Sequence, residues 1–220
     1  MEEYTLKIKL VSPALTASGE GFGAIIDTDI VFDEMGLPYI PAKRIKGCLL
    51  DSAREVKEMF EKSEINCPLC IKKTFGDAGT KTSAPVYISN LYIKDYAKNK
   101  EWLNYFLKSD DYKAVLSKEK ILKTFTHIRR QTAIGDKGVA KEHSLRTARV
   151  INKGICFFGD IKTANKDDDI INTLILACLN FRHMGTMRNK GFGEIKCSLY
   201  DKKTGSEIPI TDKLEGLCTN

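Results

Sequence analysis

The sequence predicts an α+β domain of ferredoxin-like arrangement, two helices laid on one face of an antiparallel sheet. Three observations predict it. Residues 4–10 alternate apolar and polar with period two, two amphipathic helical runs lie near 42–61 and 168–181, and strand-like runs follow each of them. The chain has 220 residues, 42% of them hydrophobic and 29% charged, enough for one packed core and too apolar for wholesale disorder.

Taken in order, Tyr4-Thr5-Leu6-Lys7-Ile8-Lys9-Leu10 reads as a half-buried strand. Ser18-Gly19-Glu20-Gly21-Phe22-Gly23 reads as a flexible loop, and Ile25 to Phe32 as a second strand. Gly36-Leu37-Pro38-Tyr39-Ile40-Pro41 is a turn and a short extended piece, because a residue before proline avoids the helical region. The first helix starts near Ala42 or Lys43 with Ile45, Leu49, Ala53, Val56 and Phe60 on one face. Residues 62–130 form an insertion with a β-like Val86-Tyr87-Ile88 and a polar, aromatic-bearing stretch from Asp95 to Lys120. Gly135-Asp136-Lys137-Gly138 is a hairpin tip between residues 130–133 and 139–141. Ile155 to Ile161 is a strand, Asp168 to Phe181 a helix whose acidic first turn suits its dipole, and Gly193 to Tyr200 a closing strand. The expectation is a single domain over residues 1–220, with a protruding hairpin at about 130–147.

The net charge of +6 leans toward a polyanionic partner. The charge is concentrated: Arg129, Arg130, Lys137, Lys141, Arg146 and Arg149, flanked by Lys123 and Lys153, face only Asp136 and Glu142. No apolar run reaches the roughly 18–20 residues of a membrane span, and the acidic start Met1-Glu2-Glu3 is no secretory signal, so no membrane partner is expected. Seven cysteines without such a signal fit a reducing cytoplasm, with thiols free or metal-bound. No phosphate-binding P-loop, dinucleotide fingerprint or Ser-His-Asp order is present.

Four motifs stand in a fixed order: Gly36-Leu37-Pro38-Tyr39-Ile40-Pro41 with Arg44-Ile45-Lys46-Gly47; Thr74-Phe75-Gly76-Asp77; Ala133-Ile134-Gly135-Asp136 with Ser144-Leu145-Arg146-Thr147; and Gly185-Thr186-Met187-Arg188-Asn189-Lys190-Gly191-Phe192-Gly193. Together they resemble the RAMP superfamily (repeat-associated mysterious proteins), and more narrowly the guide-RNA-binding backbone subunit of type III CRISPR effector complexes. Read from the residues alone, the last motif lets backbone amides and the cations Arg188 and Lys190 approach a phosphate, and it also reads as a plain turn between helix and strand. Lys43, Arg44 and Lys46 sit at a helix N-terminus that favours anions, or form a solvated basic face.

The resemblance implies that both elements, with Gly191 and Gly193, contact guide RNA. It implies that the hairpin is a thumb that wedges into the guide–target duplex, with Ile134 and Val139 as the wedge and Arg130, Lys137, Lys141 and Arg146 near phosphates. The expected partners are guide RNA, complementary target RNA, other effector subunits and copies of the chain itself. The resemblance also matches Asp27 to an aspartate that cleaves target RNA with a divalent metal, Mg²⁺, which would make the chain a metal-dependent endoribonuclease. Asp29 is the runner-up, two residues on and on the same face if the segment is a strand. A purely architectural, non-cutting subunit is the rival reading. A guide-maturation nuclease ranks last, since no histidine precedes His127. Two features depart from the family pattern: Ala42-Lys43-Arg44 stands where many members carry Gly-Ser, and Cys67-Pro68-Leu69-Cys70 has the bite for tetrahedral Zn²⁺. Cys48, His127 and His143 are further ligand candidates by type. Cys156, Cys178 and Cys197 read as core.

Overall fold

The computed structural model describes residues 1–17, 26–76, 86–136, 138–164 and 166–209. In chain order the strands are β1 (Glu2–Leu10), β2 (Tyr39–Ile40), β3 (Val86–Ile88), β4 (Leu91–Ile93), β5 (Thr126–Gln131), β6 (Arg146–Ile151), β7 (Cys156–Thr163) and β8 (Ile195–Asp201). The helices are α1 (Ala42–Lys62), α2 (Ile71–Phe75), α3 (Tyr96–Lys108), α4 (Lys118–Phe125) and α5 (Asp168–Asn180).

The period-two pattern of β1 sends Tyr4, Leu6, Ile8 and Leu10 into the core, where all four are buried. β1 lies inside the sheet, antiparallel to the central strand β7 on one side and to the edge strand β8 on the other. β3 and β4 both pair with β7, and β2 adds to β4. Helices α1 and α5 cover one face, so strand–helix–strand–strand–helix–strand connectivity around β1 gives the ferredoxin-like arrangement. The two helices are joined by a buried hydroxyl: Ser52 Oγ donates to the Ala177 carbonyl at 2.8 Å. α5 starts where its sequence says it should, since Asp167 accepts from the Asp169 and Ile170 amides at 3.1 and 3.4 Å and two more aspartates occupy the first turn.

The insertion carries the expected strand at Val86–Ile88, as β3, and adds β4 and the helices α2, α3 and α4. α3 buries none of its residues, and its aromatic side chains form a half-exposed cluster that no hydrophobic period announces. Tyr96 ties it to the palm: its ring stacks on Tyr92 at 4.1 Å and its hydroxyl donates to Asp33 at 2.9 Å. Burial first, and then that hydrogen bond, push the Tyr96 phenol up to about 12.

Two further expectations are corrected. The span 25–32 is no ladder strand, and its described part makes isolated bridges from Thr28 to Ala148, Ile30 to Ala17 and Phe32 to Pro38. The protruding hairpin is longer than the sequence suggests, a two-stranded ribbon of β5 and β6 registered from Thr126–Ile151 to Gln131–Arg146. Beyond it a tip is closed by the Ile134–Ala140 bridge and by Ser144, whose hydroxyl donates to the Lys141 carbonyl at 2.6 Å. Cys178 and Cys197 are buried neighbours, whereas Cys156 is only half-buried, on the sheet face opposite α1 and α5, across from Lys9.

The segment at Asp27–Ile30 is bound to the ribbon by one buried ion pair. Asp29 is 3% exposed, and its Oδ1 accepts from Arg149 Nε at 3.0 Å and from the Ile30 amide at 2.8 Å. Removing one partner of such a pair leaves an uncompensated charge in a low-dielectric site. Asp29→Ala is therefore expected to lower unfolding free energy by about 3–5 kcal/mol in urea titration; a loss below about 1 kcal/mol would show the pair to be dispensable.

Candidate nucleic-acid interface

Three elements meet at the base of the hairpin ribbon. The first is the segment 26–30, laid parallel along β6: Asp27 N–H donates to the Thr147 carbonyl at 2.9 Å and Arg149 N–H to the Thr28 carbonyl at 3.0 Å. This pairing splits the two aspartates. Asp29 is turned inward onto Arg149, while Asp27 is exposed, its Oδ2 accepting from the Thr147 amide at 2.6 Å. They do not share an accessible face, which the assumption of a regular strand had required.

The second element is the glycine-rich turn after α5. Thr186 N–H donates to the Leu15 carbonyl at 3.1 Å and Gly193 N–H to the Pro13 carbonyl at 2.8 Å, so the loop folds back against the chain that follows β1. Gly193 has φ +77°, and a Cβ there would meet the Met184 carbonyl oxygen at 2.0 Å; its glycine identity is a packing requirement. Gly191 has φ +78° but faces open space. Arg188, Asn189 and Lys190 form an exposed 3₁₀ turn, with Arg188 Nε donating to the Gly185 carbonyl at 3.0 Å.

The third element is the ribbon itself. Arg129 of β5 stacks its guanidinium over Phe192, 5.6 Å from the ring centroid, and so docks the ribbon on the glycine turn. Between them a small recess of about 60 Å³ is lined by Thr28, Arg129, Arg146, Met187 and Phe192. Sequence reasoning counted Arg129 only within the basic cluster; its pairing with the aromatic residue of the glycine motif is the contact that joins the two motifs in space.

The other sequence-predicted residues are distributed as follows. Arg130, Lys141 and Arg146 are exposed on the ribbon and its tip, and Ile134, Val139 and Leu145 project from that tip into solvent. Lys137 lies outside the described residues, as do the Gly19–Gly23 loop and Asp77. Lys43 is exposed and Lys46 half-exposed at the start of α1. Arg44 is half-buried; its Nη2 donates to the Ala17 carbonyl, and its Nη1 is buried without a hydrogen-bond partner among the described residues. The helix N-terminus is also partly used: Ala42 N–H donates to Asn90 Oδ1 at 2.8 Å, and the Arg44 and Ile45 amides bond to the Pro41 carbonyl. Cys67 and Cys70 sit just before α2, and among the described residues no third His, Cys, Asp or Glu joins them. Cys48 instead lines a polar cleft of about 510 Å³ with Arg188, where burial pushes its thiol up; His127 is hydrogen-bonded to Asn152 at 2.6 Å, and His143 is exposed at the ribbon tip.

A ferredoxin-like palm with a basic, apolar-tipped ribbon and a glycine turn at its base defines one class of α+β fold. Within that class the chain belongs to the RAMP superfamily, whose family model matches residues 7–196. Among solved structures it is similar to a chain of the type III-B Cmr-beta complex in its apo state, at 16% identity with a TM-score of 0.62, covering 91% of this chain and 98% of that one. It is likewise similar to a chain of the type III-B Cmr-beta complex bound to cognate target RNA, at 13% identity and a TM-score of 0.61, covering 90% and 97%. No curated protein matches the chain by sequence.

The glycine turn makes a direct prediction. A side chain at a left-handed position costs about 1–2 kcal/mol, so Gly191→Ala should lower stability by that amount. Gly193→Ala adds a clash with the Met184 backbone and should cost clearly more. Thermal denaturation of the two variants checks the order; equal losses would contradict the packing role of Gly193.

Proposed function

We propose that the chain is a guide-RNA-binding backbone subunit of a type III CRISPR effector complex, and that it cuts the target RNA paired with the guide. The observation that carries this reading is the exposed Asp27 carboxylate at the foot of a cationic ribbon, held within the same local assembly as the Arg188–Lys190 turn. Family membership and the likeness to type III-B chains, one of them in a complex with target RNA, support it.

In this reading the Arg188–Lys190 turn and Lys43 hold guide phosphates. The tip residues Ile134 and Val139 displace one base of the duplex and expose a target linkage beside Asp27. Asp27 Oδ2 is fixed by the Thr147 amide, which leaves Oδ1 directed by a rigid backbone contact rather than by a free rotor. Oδ1 takes the proton of the target's 2′-hydroxyl as that oxygen attacks the adjacent phosphorus. The bond from phosphorus to the 5′-oxygen breaks, that oxygen gains a proton from water, and a 2′,3′-cyclic phosphate and a 5′-hydroxyl result. Mg²⁺, when bound, would be held by Asp27 and RNA phosphate oxygens, a donor set that suits an ion coordinated by few carboxylates, and would neutralise developing charge. Any zinc at Cys67 and Cys70 would be structural.

The architectural reading, binding without cutting, is favoured by one observation: Asp27 already has a structural task at Thr147. The two readings part in the assembled complex with a matched target. Asp27→Asn should keep guide and target binding within a few-fold while cutting falls by ~10²-fold or more, and EDTA should abolish wild-type cutting. Cutting at the wild-type rate in Asp27→Asn would contradict the enzymatic reading.

Guide binding should weaken with salt in proportion to the phosphates contacted. Replacing Arg188 and Lys190 together by alanine should reduce the log–log slope by about 1–2. An unchanged slope and affinity would remove the glycine turn from the RNA path.

A further inference from the structure

The sheet face opposite α1 and α5 carries a row of polar and aromatic side chains. Register sets Ser198 of β8, Lys7 of β1, Phe158 of β7, Tyr92 of β4 and Tyr39 of β2 side by side across five strands. Tyr39 and Tyr92 stack at 5.6 Å, and the Lys7 ammonium lies 5.9 Å from the Phe158 centroid and 5.6 Å from that of Tyr200. The neighbouring row sets Lys9 directly opposite Lys196, both exposed. A shallow recess of about 190 Å³ is lined by Lys7, Lys9, Lys196, Ser198 and Tyr200.

The two ends of this face treat their charges differently. At the start of β1, Glu3 binds Lys162 and Lys202, each at 2.9 Å, and Lys202 also reaches Asp160 at 3.0 Å. There the lysines are neutralised, and they hold the Glu3 carboxyl down at about 2. At the other end Lys7, Lys9 and Lys196 make no ion pair with any described residue, and two like charges directly opposite destabilise a sheet. Phe158 and Tyr200 beside these cations are half-buried. Unneutralised cations beside partly exposed aromatic rings are the composition that binds single-stranded nucleic acid, phosphates on the cations and bases on the rings.

We propose that this face is a second RNA surface, distinct in its residues from the ribbon base, and that it takes a single-stranded RNA segment. Phosphates lie on Lys9 and Lys196, and bases stack on Phe158 and Tyr200. An acidic protein segment is a poorer fit. Strand addition at the nearest edge is blocked because the chain returns along β8, with Ile208 N–H donating to the Leu199 carbonyl at 2.9 Å. The face also offers aromatic rings rather than the forked donors that select carboxylates. The inference does not rest on the cleavage assignment.

The test uses the full chain and a fluorescein-labelled 15-nucleotide RNA containing 4-thiouridine. Lys9→Gln/Lys196→Gln should weaken binding about tenfold and lower the salt slope by about 1.4, from about 0.7 per phosphate on a single strand. Its thermal midpoint should equal or exceed that of the wild type, because the substitutions remove a like-charge pair. Photocrosslinks in the wild type should map to Phe158 or Tyr200, and should persist in Arg188→Ala/Lys190→Ala, which separates this surface from the guide site. Three outcomes would overturn the proposal: no RNA binding by the wild type, unchanged affinity and slope in the lysine variant, or crosslinks confined to the ribbon and glycine turn. Tighter binding of a poly-glutamate peptide than of RNA, lost in the same variant, would assign the face to an acidic protein instead.

Discussion

The buried pair of Asp29 and Arg149 is the constraint on which the ribbon base depends. It fixes a segment with no ladder of its own against β6, and β6 in turn is docked by β5 through Arg129 onto Phe192. A buried ion pair is weak evidence of net stability, since its desolvation offsets much of its attraction. Its effect here is positional. With Asp29 held inward, the chain geometry turns Asp27 outward and sets its carboxylate on the Thr147 amide. Two carboxylates that look equivalent in the sequence thereby receive opposite roles.

The glycine motif shows a similar division within one turn. Gly185 and Gly193 are required by backbone contacts with Leu15 and Met184, and Gly191 by its positive φ alone. The turn is therefore rigid where it meets the palm and open where Arg188 and Lys190 are presented. That combination suits a phosphate-binding loop, because the cations need not be ordered at the moment of binding.

Much of the palm was legible in the sequence. Leu6, Ile8 and Leu10 declare β1 by alternation, Ile45, Leu49 and Ala53 declare α1 by helical spacing, and Asp167 to Asp169 mark the start of α5. These patterns survive because one face of each element is buried against the same core. The insertion meets that condition only in part: α3 fully buries no residue, and only Tyr96, Leu103 and Leu107 pack against the core, so its apolar stripe is weak. Of the ribbon strands, β5 is exposed over Ile128, Arg129 and Arg130, which hides its true extent, whereas β6 buries Thr147, Ala148, Val150 and Ile151. Tertiary contacts also decide what residue type cannot. Arg44 reads from the sequence only as a cation beside Lys43, yet its Nη2 donates to the Ala17 carbonyl, a contact 27 residues back that spacing does not reveal. Lys9 and Lys196, far apart in sequence, become neighbours only through strand register.

The central claim is that RNA runs over the ribbon base, between Asp27 and the Arg188–Lys190 turn. The most direct measurement is a cryo-EM structure of the complex assembled with guide and an uncleaved, 2′-hydroxyl-bearing target captured in Asp27→Asn. The account predicts a displaced base at the Ile134–Val139 tip, a guide phosphate on the glycine turn, and a target 2′-oxygen within about 3 Å of the amide that replaces the Asp27 carboxylate in that variant. RNA density elsewhere, with the ribbon base facing solvent or another protein, would contradict it.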